Sequence, residues 1–179
     1  MVQFSQTEVS RLVAICEDKT NSNQVRGKAF EELTAHLFES CDGVTTYKNV
    51  LSIHNEEEID ISVMNSPKSG TLDLLPISLL VECKNWSVPV SGKELDSLKT
   101  KLDERGLDTG VLFAAHGITG DNETPMNAYS KISTLLTLGV RILVITMADV
   151  KLLTSAEDFR ELLHRRLGNL LATRTFVPD

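Results

Sequence analysis

The stretch Leu79-Leu80-Val81-Glu82-Cys83-Lys84 limits the fold of this chain more than any other. Its apolar run suits a strand buried on both faces, the habit of a strand inside an α/β sheet. Such a strand should not end in a carboxylate and an ammonium unless the sheet opens there onto something that needs them. Residues two apart on a strand share a face. Glu82 and Lys84 therefore emerge side by side, and Cys83 faces the other way. Taken alone, the pair reads first as an ion pair at a strand end. It also suits a metal ligand beside a charge-stabilising or proton-transferring lysine.

The rest of the chain supplies layers for this strand. Helical spacing predicts a helix over 6–19, with Val9, Leu12, Val13 and Cys16 on one face. A second spans 22–41, with Phe30, Leu33, Leu37 and Phe38 inward and Gly43 past its end. Strands follow at Thr45 to Ile53 and in the strictly alternating Glu58-Ile59-Asp60-Ile61-Ser62-Val63. Turn residues at 65–70 lead into the strand Ile77 to Cys83. Ser91 and Glu94 form a capping-box pattern ahead of Leu95, Leu98 and Leu102, and Gly106 stops that helix. Residues 110–115 read as a buried strand and 116–123 as a mobile loop. Thr124 and Pro125 open a helix that Gly139 closes. A strand at 140–147 precedes a last helix at 156–167, with Ser155 as cap and Gly168 beyond it. A β-meander followed by βαβ units predicts an α/β fold with a mixed sheet covered by helices. With 41% hydrophobic residues, the chain can bury a core. No repeat or linker divides it, so 1–179 reads as one domain. Residues 1–22 form an N-terminal helical extension, 24–147 the core and 148–179 a C-terminal helical segment.

Asp60 shifts the balance at Glu82. It is an acid between two core-type residues, Ile59 and Ile61. A hairpin through the 65–70 turn can set Asp60 beside Glu82 on the neighbouring strand. Two carboxylates held close repel each other unless a cation sits between them. Oxygen ligands without His or Cys favour Mg²⁺, with Mn²⁺ as a substitute. The second helix offers a third acid, Glu31, with Glu32 as the alternative, and strand period adds Glu58 as a minor candidate. Lys93, Lys99 and Lys101 read as a solvated helix face, although Lys93 lies in the first turn, where it can meet a phosphate. Trp86 reads first as a core or rim aromatic, with base stacking as the alternative, and Cys16, Cys41 and Cys83 read as buried thiols. Arg160, Arg165, Arg166 and Arg174 read as the basic outer face of an amphipathic helix. His116-Gly117-Ile118-Thr119-Gly120 matches no phosphate-loop pattern.

Several motifs in order resemble the PD-(D/E)XK nuclease superfamily, and its Mrr-like branch most closely. They are Gly27-Lys28-Ala29-Phe30-Glu31, Ile59-Asp60, Glu82-Cys83-Lys84-Asn85-Trp86, Val90-Ser91-Gly92-Lys93-Glu94 and Asp108-Thr109-Gly110-Val111-Leu112-Phe113. The resemblance covers roughly residues 24–147. It implies a restriction-endonuclease-like mixed β-sheet flanked by α-helices and metal-dependent hydrolysis of nucleic-acid phosphodiesters, most of all DNA. It implies that Asp60 and Glu82 hold the metal, that the Cys83 carbonyl is an extra ligand and that Glu31 completes the site. Lys84 is then the residue that orients or deprotonates the attacking water or stabilises the transition state. The proline of the superfamily motif is Ile59 here. A role in restriction or anti-phage defence is implied by the resemblance alone. Residues ahead of the core are too few for a DNA-recognition domain, so targeting is expected from a homo-oligomer, a partner or a defence complex.

The net charge of −7 excludes a simple basic nucleic-acid binder. The balance is uneven, at −9 over residues 1–158 and +2 over 159–179. Three cysteines without a CxxC spacing exclude a disulfide framework and a zinc ribbon, and fit a reducing, cytoplasmic setting. No apolar run predicts a membrane span.

Overall fold

A computed structural model describes residues 2–51, 58–66, 71–120 and 127–178. Five strands pair in chain order: β1 (Val44–Leu51), β2 (Glu58–Asn65), β3 (Ser78–Lys84), β4 (Thr109–Ala114) and β5 (Arg141–Ile145). β1, β2 and β3 run antiparallel, then β3, β4 and β5 run parallel. This is the mixed sheet that a meander followed by βαβ units requires. The crossovers are α3 (Gly92–Glu104) and α4 (Ala128–Thr137). Ahead of the sheet come α1 (Gln6–Glu17) and α2 (Asn23–Glu39), and after it α5 (Met147–Leu152) and α6 (Ala156–Thr173). Among the described residues, no helix is long and apolar enough to cross a membrane.

The two faces of the sheet carry different chemistry. One face meets α2 and α6 through aromatic side chains. Phe113 of β4 lies 6.2 Å from Phe30 and from Phe38, and Phe38 meets Phe159 edge-on at 5.1 Å. The other face receives α3. Gly110 permits that approach, because a Cβ there would stand 3.2 Å from a Leu98 methyl and 3.3 Å from one of Leu102. Leu95, Leu98 and Leu102 are buried as their spacing predicts. Glu94 reaches back to the Ser91 backbone N–H at 3.1 Å, the return half of the capping box.

Four details differ from expectation. The helix after β4 begins at Ala128, where the Asn127 side chain accepts the Ser130 N–H, and Thr124 and Pro125 lie outside the described residues. Residues 116–120 are pinned: Val90 N–H donates to Gly117 at 2.9 Å, Thr119 N–H donates to Val90 at 2.8 Å, and Ile118 is buried. α5 follows β5 at once, capped by Thr146 and Asp149, a pattern the sequence carries. α6 runs through Gly168 to Thr173, because Phe159, Leu162, Leu163, Arg166 and Leu170 continue one buried stripe past the glycine. That stripe outweighs the glycine's propensity cost of about 1 kcal/mol.

Arg166 is therefore no outer-face residue. It is 3% exposed, and its Nη2 donates to Asp149 Oδ1 at 2.6 Å. Its Nη1 donates to the Val177 carbonyl, and the guanidinium lies 5.0 Å from the Phe176 ring centroid. One cation thus joins α5, α6 and the C-terminal segment. Arg166→Ala leaves a buried Asp149 without its counter-charge, and is expected to lower the unfolding free energy by about 3–5 kcal/mol, read from urea denaturation.

Candidate active site

β2 and β3 part where the predicted acids sit. Their ladder runs in register from Met64↔Ser78 to Ile61↔Val81. One further step puts Asp60 opposite Glu82. There the Asp60 side chain takes over from the ladder, its Oδ2 accepting the Cys83 backbone N–H at 2.7 Å. The hydrogen bond fixes Asp60 against β3 and aligns it with Glu82.

Glu82 is 6% exposed, and both of its oxygens are engaged. Oε1 accepts from Lys84 Nζ at 2.5 Å, and Oε2 accepts from Lys101 Nζ at 2.8 Å. Lys84 reaches Glu82 along the strand face they share, and its Nζ lies 5.7 Å from the Trp86 ring centroid. Trp86 is an exposed rim residue, as one of the two readings had it. Glu82, Lys84, Trp86, Lys93, Glu94 and Ser97 line a cleft of about 260 Å³. Lys93 is exposed at its rim, in the first turn of α3.

Lys101 is the residue that sequence reasoning missed. It is buried, not part of a solvated face. The signal was its position between Leu98 and Leu102, on the edge of the apolar stripe. Lys93, Ser97 and Lys101 also follow at helical spacing, so one line along α3 faces the cleft and Glu82.

The remaining candidates divide between places. Glu31 is half-buried on α2, and its charge acts on the Cys83 thiol, on the sheet face opposite Lys101. Glu32 acts on Arg11 of α1, away from the site. Of the two helix acids, Glu31 is the one near β3. Among the described residues, no three of His, Cys, Asp or Glu come together as a metal cluster, so Glu31 does not close a set with Asp60 and Glu82. The side chain of Glu58 lies outside the described residues. The Cys83 thiol rests 3.5 Å from Thr34 Oγ1, and burial pushes its pKa well above the ordinary value. Cys16 and Cys41 are buried, and burial pushes their thiols up to about 12. None of the three is a nucleophile at neutral pH. Asn85 ties the end of β3 to the carbonyls of Cys16 and Arg26, at 3.1 and 3.2 Å.

Burial, and then the charge of Glu82, hold the Asp60 carboxyl above its ordinary range, although the Cys83 N–H, Lys84 and Lys101 oppose them. Burial works against the Lys84 ammonium too. The charge and hydrogen bond of Glu82 more than reverse this, with help from Asp60, and leave Lys84 above its usual value. Lys84 therefore keeps its proton at neutral pH and donates hydrogen bonds as an ammonium. The donor set of Asp60 and Glu82 is hard oxygen, which suits Mg²⁺ or Mn²⁺.

A family model described as restriction endonuclease, the Mrr catalytic domain, matches residues 22–137. No curated protein matches the chain.

The raised pKa of Asp60 has a consequence for stability. The proton it holds favours the fold fully below the ordinary aspartate value of 3.8, and that contribution is lost as pH rises through the raised value. At neutral pH the ionised side chain is a cost to the metal-free protein. Asp60→Asn keeps an acceptor for the Cys83 N–H and removes the charge. It is expected to melt at a higher temperature than wild type in EDTA at pH 7, with the difference shrinking as pH falls toward 4, checked by thermal denaturation across pH.

Proposed function

The chain belongs to the Mrr-type restriction-endonuclease family, and on that premise we propose that it is a divalent-metal-dependent nuclease that cuts DNA in a restriction or anti-phage defence system. The observation that carries this reading is the juncture of Asp60, Glu82 and Lys84 at the open end of β3, beside a cleft with Lys93 on its rim. The family implies a nucleic-acid substrate and in general uses divalent metals.

Asp60, Glu82 and the Cys83 carbonyl are the groups that would hold the cation. A bound divalent cation supplies Lewis-acid polarisation of a phosphoryl oxygen and an activated water. The chain's own residues do the rest. The Asp60 carboxylate is held by the Cys83 N–H and keeps its place through the reaction. The Lys84 ammonium, at the mouth of the site, faces the scissile phosphate and donates hydrogen bonds where negative charge grows. As an ammonium it stabilises charge and orients the attacking water. Lys93 meets a flanking phosphate at the start of α3. Attack of a water oxygen on phosphorus breaks one phosphorus–oxygen ester bond, leaving a phosphate monoester on one end and a hydroxyl on the other. Cutting both strands of a duplex takes two such sites, which a homodimer supplies. A defence complex provides the targeting.

The test is incubation with plasmid, single-stranded DNA and RNA in Mg²⁺, Mn²⁺ or EDTA. Cleavage is expected with either metal, to vanish in EDTA and to fall at least about a hundredfold in Lys84→Ala and in Asp60→Ala. Undiminished cutting by both variants overturns the site. Plasmid bound but uncut by every form favours a non-catalytic nucleic-acid-binding module on the same fold.

A further inference from the structure

We infer that Lys101 is a built-in occupant of the cation site, a positioning residue that fixes which oxygen of Glu82 can meet a metal and holds the site's affinity for metal down. The inference rests on the metal-dependent reading of the same site. Lys101 comes from α3, on the face of β3 where Glu82 lies, and its Nζ stands 2.8 Å from Glu82 Oε2.

Glu82 has one counter-charge before Lys101 is counted. Lys84 already supplies one full positive charge, 2.5 Å from Oε1. The second ammonium balances the second carboxylate, Asp60, on which both lysines act. Two acids and two lysines leave the site neutral, so an arriving dication meets no net attraction from it.

The two lysines also differ in freedom. The Lys101 side chain is 9% exposed and that of Lys84 is 21% exposed. Lys101 is rooted between Leu98 and Leu102, on a helix pressed against Gly110. Lys84 lies along the cleft and can turn outward toward a phosphate. Oε1 is thus the oxygen that would be free to meet a cation, with Oε2 kept by Lys101. A carboxylate restrained in this way presents one oxygen in one place. A merely structural Lys101 would stabilise the fold, and its loss would weaken or leave unchanged the affinity for metal. A built-in occupant does the opposite, because its loss gives the site a net negative charge.

The experiment is titration of Mn²⁺ into the EDTA-stripped full chain by calorimetry, with free Mn²⁺ followed by its paramagnetic resonance. Wild type is compared with K101M, which removes the charge, and K101R, which keeps it. Each form is melted first, and K101Q replaces K101M if the latter fails to fold. K101M or K101Q is expected to bind Mn²⁺ at least about tenfold more tightly than wild type. K101R is expected to stay within about threefold of wild type. Equal or weaker binding in the neutral variant overturns the role of Lys101, and metal-dependent plasmid cleavage by wild type then leaves the nuclease reading standing. No Mn²⁺ bound by any form, together with no metal-dependent cleavage, overturns both.

Discussion

Glu82 carries its charge where β3 leaves the β2 ladder, and it is tolerated there because ammoniums meet it from two directions. Burying a carboxylate without partners is costly enough that the group would sooner take up a proton. The surrounding elements are arranged around that constraint. β3 is apolar through Val81, so the strand is anchored in the core up to the residue before the acid. α3 is drawn close by the absent side chain at Gly110, and so a lysine one turn along reaches the sheet. Asp60 is fixed by a backbone N–H that no ladder partner takes. The end of β3 is thus held by polar groups on one face and by Thr34 and the aromatic core on the other.

The protein solves the same problem at a second place with a different outcome. Asp149 and Arg166 are also buried and paired, at 2.6 Å, but among the described residues they open onto no cleft beside β3. There the guanidinium is shared between Asp149, the Val177 carbonyl and the Phe176 ring. At Glu82 one of the two cations stands at a cleft mouth. Lys84 and Arg166 differ in exposure, with the Lys84 side chain 21% exposed and that of Arg166 3%. Composition carries no trace of it.

Much of this was legible in the chain, and the rest was hidden for identifiable reasons. Apolar periodicity marks the stripes of α1, α2 and α3, and strict alternation marks β2, because each of these elements buries one face. Strand parity put Glu82 and Lys84 on one face and Cys83 on the other, where the structure has them. Lys101 and Arg166 were misread for one shared reason. A long cation at the edge of an apolar stripe looks solvated, and only a carboxylate contributed by a distant segment makes its burial tolerable. For Lys101 that carboxylate is 19 residues away, and for Arg166 it is 17 away. Gly168 misled in the opposite direction, since a helix-stop residue was overruled by Leu170 two positions further on. Glu31 and Glu32 could not be separated by spacing. The structure separates them, since the charge of Glu31 acts on Cys83 of β3 and that of Glu32 on Arg11 of α1.

The acidic balance of the chain takes on a narrower meaning beside this geometry. A net charge of −7 argues against tight, unaided binding to a polyanion. The cleft itself is not acidic, because Lys84 and Lys93 match Glu82 and Glu94 along its walls, with Lys101 behind Glu82. A phosphate approaching Lys84 and Lys93 is therefore attracted locally and repelled only at longer range, where salt screens the repulsion within about 10 Å. Such a surface discourages loose association along nucleic acid while leaving the cleft able to accept a single phosphate. Engagement of a polyanion then turns on the local charges at the cleft mouth and not on the overall charge of the chain.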